Sequence, residues 1–322
     1  MGAMDETQNY QILLFYKYVS IEDPEQLKTD QEKICRELGL TGRIIIAHEG
    51  INVTVEGTKE AVREYMRVLT EDSHFSDIHF KKSKGTGNAF PKLSIKVRDE
   101  IVSLNLQDDF SPNETTGKRL HPEELRKWFE ESREFVIIDM RNDYEHKVGK
   151  FEGSVCAPLK NFRDLPRAVQ DELSKYKNKT VVTVCTGGVR CEKASGYLIQ
   201  NGFTDVYQLD GGIVSYMEKY PNQDFKGKLY VFDARQTMGF ETDSPEHEII
   251  STCELCGTSA DSFSNCKRPT CNRHYVACVS CATPAGHDTL CAVCRRSRIV
   301  QALGLILVLT AMLVYLIFVI NK

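Results

Sequence analysis

The stretch Thr180-Val181-Val182-Thr183-Val184-Cys185-Thr186-Gly187-Gly188-Val189-Arg190-Cys191 decides the reading of this chain. Its first five residues are all β-branched, the composition of a strand buried on both faces in a parallel sheet. Two glycines follow, and from about Cys191 to Gln200 the pattern is helical, stopped by Asn201-Gly202. A strand, a glycine turn and a helix in this order build an anion nest, since successive backbone N–H groups turn inward at a helix N-terminus. Such loops lie beyond the carboxyl ends of parallel strands, where α/β sheets bind their ligands. That environment favours thiolate over thiol, and the thiolate is the nucleophile. Cys185 is therefore the candidate catalytic residue, with Thr186, Gly187, Gly188 and Val189 as the anion-binding loop. Arg190 supplies a fixed positive charge suited to clamping an oxyanion or a persulfide. Cys191 is a candidate resolving thiol, because sulfenic acids condense with nearby thiols; simple packing is its other reading.

Working outward, residues 119–222 keep an α/β rhythm. A helix starts at His121-Pro122, short apolar strands cover Phe135 to Asp139 and Val206 to Leu209, and the whole predicts a parallel sheet covered by helices. Upstream, residues 8–107 alternate strand and helix signals. Strands at Tyr10 to Val19, Gly42 to Ala47, Ile51 to Glu56, Ile78 to Lys82 and Leu93 to Val97 are interleaved with helices from Pro24 and from Lys59. The order β-α-β-β-α-β is the ferredoxin-like, split βαβ arrangement. Between the two, Asn105 to Lys118 is rich in Asp, Ser, Pro, Asn, Thr and Gly and reads as a linker.

Further stretches stand around the cysteine loop: Asp139-Met140-Arg141 before it and Leu209-Asp210-Gly211-Gly212-Ile213 after it. With the loop they resemble a rhodanese domain, which implies that Asp139 and Arg141 support the loop rather than react. Glu49-Gly50-Ile51-Asn52, Ala89-Phe90-Pro91-Lys92-Leu93, Cys185 through Cys191-Glu192-Lys193, and Gly227 through Arg235 stand in order as well. Over residues 8–295 this run resembles the rhodanese-domain tRNA uridine hydroxylase family. The resemblance implies oxygen-dependent 5-hydroxylation of uridine 34 in the tRNA anticodon, an oxidation with molecular oxygen as co-substrate, tRNA as partner and Cys185 as the catalytic cysteine. Two other readings stand beside it. A sulfurtransferase would carry a persulfide on the same Cys185, and a phosphatase-like loop also spaces Cys and Arg five positions apart.

Lys81, Lys82, Lys84, Lys92, Lys96 and Arg98 include no acidic neighbour between Lys81 and Arg98, and Phe90 sits among them. A basic strip with an aromatic suits backbone contacts plus stacking on an unpaired base, so these seven residues are candidate tRNA contacts.

Eight of the twelve cysteines fall within 253–294. Cys253-x2-Cys256, Cys266-x4-Cys271, Cys278-x2-Cys281 and Cys291-x2-Cys294 form four ligand pairs. Two pairs complete a tetrahedral site, so eight ligands predict two structural zinc ions. His274 also fits an interleaved, RING-like order that would release Cys266, and spacing leaves both that choice and the pairing open. Residues 223–295 are read as a Cys-rich zinc-binding region that needs metal because so short a segment has little core. A zinc-module scaffold tethered to a membrane, without catalysis, is the third rival to the hydroxylase reading.

With 41% apolar and 27% charged residues the chain reads as folded protein, and a net charge of −4 says little about partners. Ile299 to Ile320 carries no formal charge over 22 residues, with Arg295, Arg296 and Arg298 just before it. As a helix this run would span about 33 Å, enough for a bilayer's core. The expectation is a C-terminal transmembrane helix over 299–320, a tail anchor with the catalytic domains on the cytoplasmic face. The expected fold class is thus α/β and α+β multidomain: ferredoxin-like, rhodanese-like, a small Cys-rich region and a transmembrane helix.

Overall fold

In strand β1 (Tyr10–Tyr18) successive side chains face opposite ways, and the two faces do different jobs. Leu13 and Phe15 are buried with Cys35 of α1 (Pro24–Glu37) and with Val62, Tyr65 and Leu69 of α2 (Lys59–Thr70). Both helices start at side-chain caps: Asp23 accepts from the N–H of Gln26 at 2.9 Å and Thr58 from that of Ala61 at 3.2 Å. Strands β2 (Thr41–Ala47), β3 (Gly50–Thr58), β4 (Lys81–Lys84) and β5 (Leu93–Val97) complete a sheet of order β4-β1-β3-β2-β5. The first four strands are antiparallel, the ferredoxin-like arrangement, and β5 adds a parallel edge beside β2.

Register determines what the other face of this sheet carries. Leu14 lies opposite Thr54 and Lys81, Tyr16 opposite Asn52, and Arg43 opposite Thr54. These residues form the face that α1 and α2 do not cover.

The second sheet is built from β6 (Lys118–Leu120), β7 (Val136–Asp139), β9 (Val155–Cys156), β10 (Thr180–Val184) and β11 (Asp205–Leu209), with a hairpin strand β8 (Gly149–Phe151) between β7 and β9. Its order is β6-β11-β10-β7-β9, all parallel. Helices α3 (Pro122–Glu130), α4 (Leu165–Ala168), α5 (Val189–Gln200) and α6 (Gly212–Lys219) cover it on both sides. Val181 packs with Ala194 and Leu198 of α5, whereas Val182 and Val184 pack with Leu125 of α3 and Ile213 of α6. That two-sided burial explains the unbroken β-branched run. Strand β12 (Phe225–Gly227) pairs with β8, and β13 (Leu229–Tyr230) with β14 (Thr237–Met238).

The computed structural model describes residues 9–106, 111–282, 290–297 and 310. They fall into two compact units divided between Glu248 and Ile249. In the second unit β15 (Phe263–Asn265) and β16 (His274–Val276) form a hairpin, followed by the short α7 (Val279–Ala282).

The membrane expectation is corrected here. Among the described residues no helix is long and apolar enough to cross a bilayer. A span needs about 20 apolar residues, and α1, the longest helix described, has 14 and only one face buried. Within 299–320 all residues except Thr310 lie outside the described residues. The transmembrane helix, the membrane as partner and a tail-anchored location are therefore not carried forward.

Candidate active site and cysteine quartets

Cys185 follows β10 directly and has no accessible surface. Gly188 closes the loop at φ +103°, a left-handed conformation that side chains resist, and is the N-cap of α5. This is why the helix begins at Val189, two residues before the cysteine where the sequence pattern suggested a start. The turn aims the Gly188 N–H at the Cys185 sulfur, 3.2 Å away. Burial alone raises the pKa of that thiol. A hydrogen bond from the Cys191 thiol, the Arg190 charge and the N–H groups of Cys191 and Gly188 outweigh it and bring Cys185 down to about 6. Cys191 moves the opposite way, well above the usual thiol range, through its own burial and the neighbouring Cys185. The pair is a thiolate held by a protonated thiol.

Arg190 is engaged differently from the sequence reading. Its guanidinium forks onto Glu145, which is fully buried, at 2.6 and 2.9 Å, and reaches Thr186 Oγ1 at 3.4 Å. It thus acts on Cys185 by charge while its hydrogen bonds are largely taken. Asp139 and Arg141, both without accessible surface, pair through contacts of 2.6 to 3.1 Å, and Arg141 also donates to the Gly149 carbonyl at 2.7 Å. They brace the turn after β7, beside the cysteine loop.

The bare face of the first sheet lies over this loop. A Cβ on Gly187 would stand 2.6 Å from Leu14 Cδ2, and one on Gly188 2.8 Å from the Tyr16 hydroxyl. The first turn of α5 fastens the contact. Glu192, 3% exposed, accepts from Tyr16 at 3.0 Å, Arg119 at 2.6 Å, Thr116 at 2.9 Å and Gln208 at 2.8 Å. Lys193 donates to Glu49 and Glu100, each at 2.9 Å, and to the Val102 carbonyl at 3.1 Å. Between sheet and loop is a cavity of about 390 Å³, within the ~300–1,000 Å³ of small-molecule sites. Cys185, Thr186 and Gly187 form its floor; Leu14, Tyr16, Arg43, Asn52 and Thr54 line the sheet side.

The basic strip is not brought together. Lys81, Lys82 and Lys84 lie on β4, and Lys96 lies on β5, at opposite edges of the sheet. Lys82, Lys84, Lys92, Lys96 and Arg98 are exposed. Lys81 is buried instead, its ammonium 5.1 Å above the Tyr16 ring, and desolvation brings it down to about 8. Phe90 is 8% exposed and packs with Ile12 and Ala89, with part of it on the cavity wall.

In the second unit the eight cysteines sort into two quartets, Cys253, Cys256, Cys278 and Cys281 in one and Cys266, Cys271, Cys291 and Cys294 in the other. Within each, all sulfurs lie within 4.8 Å of one another, in reach of one metal ion. Pairing is crossed along the chain. His274 belongs to neither: its ring stacks on Phe263 at 4.5 Å and its Nδ1 meets Asn265 Oδ1 at 2.7 Å.

Comparison with known proteins agrees with this anatomy. Residues 10–101 match a UPF0176 acylphosphatase-like domain, residues 121–219 a rhodanese-like domain and residues 226–295 a rhodanese C-terminal model. A tRNA uridine(34) hydroxylase of Cytophaga hutchinsonii is 45% identical over 85% of this chain and 86% of its own. One from Staphylococcus aureus is 42% identical over 91% of this chain and 93% of its own, and one from Bacillus licheniformis 42% identical over 83% of each.

The chain belongs to the tRNA uridine(34) hydroxylase family. For a member of that family, the sequence reading missed Glu145, Glu192 and Lys193 as working parts of the site, although Glu192 and Lys193 stand in the run that carries the resemblance. Burial was the missing signal: adjacent charged residues on a helix read as a solvated face until the first sheet covers them. Arg43, Asn52 and Phe232 reach the same cavity from distant segments; Asn52 and Phe232 stand in runs that carry the resemblance, but nothing in those runs marks them as cavity residues, and Arg43 has no motif around it.

Proposed function

We propose that the protein 5-hydroxylates wobble uridine 34 of tRNA, with molecular oxygen as co-substrate and Cys185 as the reactive group. One observation carries the reading: in a chain of this family, a sulfur held as thiolate forms the floor of a cavity sized for a nucleoside. Arg190 and the loop from Thr186 to Val189 stabilise negative charge there, and Cys191 is the resolving candidate because its thiol already donates a hydrogen bond to the Cys185 sulfur. Lys82, Lys84, Lys92, Lys96 and Arg98 are assigned to the tRNA backbone, in two groups on opposite sheet edges. Lys81 and Phe90 act from inside, at the interface with the cysteine loop and on the cavity wall.

Zinc is the ion assigned to each quartet. Four thiolates are a soft donor set, and Zn–S bonds of ~2.3 Å in a tetrahedron separate the sulfurs by ~3.8 Å. Cys256 and Cys278 are 3.6 Å apart and Cys271 and Cys291 3.8 Å. The ions would hold the fold of the second unit and supply no reacting group.

The test is mass spectrometry of tRNA nucleosides from cells lacking the gene, resupplied with wild type or Cys185→Ser. Wild type restores 5-hydroxyuridine derivatives, and the mutant lowers them by on the order of 10⁴-fold or more, to background. Restoration by the mutant would remove Cys185 from the chemistry. Failure of both, with thiosulfate turnover by purified protein, would make it a sulfurtransferase.

A further inference from the structure

The cavity over Cys185 has an aromatic ring at its rim that internal packing leaves open. Phe232 is 44% exposed, whereas Phe90 in the same lining is 8% exposed. Leaving a large apolar ring in water is unfavourable, yet the segment that bears it is tied down on every side. Ala234 N–H donates to the Ala89 carbonyl at 2.9 Å, and Val231 N–H to Gln236 at 2.9 Å. Asp233 grips Arg235 at 2.8 and 2.7 Å, and Arg235 reaches Ser83 Oγ at 3.1 Å and the Lys84 carbonyl at 3.0 Å. The ring meets Tyr230 edge-on, centroids 5.2 Å apart, and the Arg190 guanidinium lies 5.8 Å from its centre.

The charges in the same lining point to an anionic ligand. The lining holds Arg43, Arg98 and Arg190 and one carboxylate, Glu100; Lys193 and the N–H groups of Leu104 and Asn105 occupy Glu100, and Glu145 offsets Arg190, which leaves Arg43 and Arg98 as the charges open to a ligand. Arg43 and Arg98 are exposed. A rigid, half-open aromatic beside exposed guanidinium groups is how proteins take an unpaired base with its flanking phosphates.

We propose that Phe232 is the platform on which the target uracil ring stacks as it enters the Cys185 cavity, with Arg43 and Arg98 taking the adjoining phosphates. This inference rests on the functional reading above and assigns the base subsite within it. It makes Phe232 a binding residue that orients the ring and takes no part in bond making.

The experiment uses the full chain and labelled anticodon stem-loop RNA carrying either uridine or an abasic residue at position 34, with affinity read by fluorescence anisotropy. Base stacking contributes ~1–3 kcal/mol per base, so wild type discriminates the two RNAs by ~5- to 150-fold. Phe232→Leu, which keeps an apolar side chain without a π-face, brings that ratio close to one while binding the abasic RNA as wild type does. Phe232→Tyr and Phe232→Trp retain the ratio. The double variant Arg43→Ala with Arg98→Ala weakens both RNAs alike and flattens the salt dependence, by ~0.7 in log–log slope for each phosphate no longer neutralised. A Phe232→Leu protein that still discriminates overturns the assignment, as does a wild type that never discriminates. If wild type discriminates through Phe232 but forms no 5-hydroxyuridine in cells, the subsite stands and the hydroxylase reading falls. If 5-hydroxyuridine forms in cells while Phe232→Leu discriminates undiminished, the hydroxylase reading stands and the subsite falls.

Discussion

Cys185 and Cys253 are almost equally buried, at 0% and 2% exposure, yet they sit in opposite kinds of surroundings. Around Cys185 the fold does the work: a strand buried on both faces, a left-handed glycine, a helix N-terminus and a sheet from another part of the chain. Around Cys253 other sulfurs gather, three more cysteines lying within 4.8 Å of it. The difference teaches that burial alone does not assign a thiol. Backbone N–H groups point at both sulfurs; what separates them is that Cys185 has one neighbouring thiol and the fixed Arg190 cation, whereas Cys253 has three other sulfurs within 4.8 Å.

This contrast can be broken most forcefully from the metal side. Cys253→Ser removes one ligand from a quartet, and structural zinc contributes ~10–16 kcal/mol in small modules. The bound zinc released to a chromogenic chelator should fall from two per chain, and limited proteolysis should open residues 249–295. Cys185 should still alkylate at the wild-type rate; a parallel loss of that reactivity would mean the two environments are not separate.

A smaller effect sharpens the other side. Thiolate is the reacting form, so alkylation of Cys185 by iodoacetamide should be fast at neutral pH and fall away as pH drops through about 6. In Arg190→Gln the cation is gone and the midpoint should move upward, slowing the reaction at pH 6.5. Glu145 would then be a buried charge without its partner, costing ~3–5 kcal/mol of stability, which differential scanning calorimetry reads. An unmoved midpoint would show that the Cys191 thiol and the backbone N–H groups hold the thiolate without the cation.

The smallest expected change tests how the first sheet is fastened over the loop. Tyr16→Phe loses one hydrogen bond to the buried Glu192 carboxylate, ~1.5–3 kcal/mol. For a unit of this size the melting temperature should fall by ~3–12 °C. No shift at all would mean that Arg119, Thr116 and Gln208 satisfy Glu192 without it.

Several features were legible before any coordinates. The strand-helix order of residues 10–97 and the cysteine loop are local patterns, encoded by hydrophobic periodicity, caps and glycines within a few residues of each other. The four cysteine pairs were legible for the same reason, since three CxxC turns and one Cx4C spacing are local devices. The basic strip was not. Lys81 to Arg98 is continuous in sequence, but its chain crosses from one edge strand of the sheet to the other, so the charges end up apart.

By itself, then, the sequence singled out Cys185 as the candidate nucleophile, eight cysteines as candidate ligands with His274 competing for one place, and the kinds of sheet in the first two domains, because each of these depends on neighbours along the chain. Tertiary structure alone decided that the quartets are crossed and that His274 is excluded from them. It also decided that Glu145 occupies Arg190, and that Arg43, Asn52 and Phe232 share one cavity with Cys185. The reason is physical: those relations join residues tens to hundreds of positions apart. Only tertiary packing brings them within hydrogen-bonding or van der Waals reach.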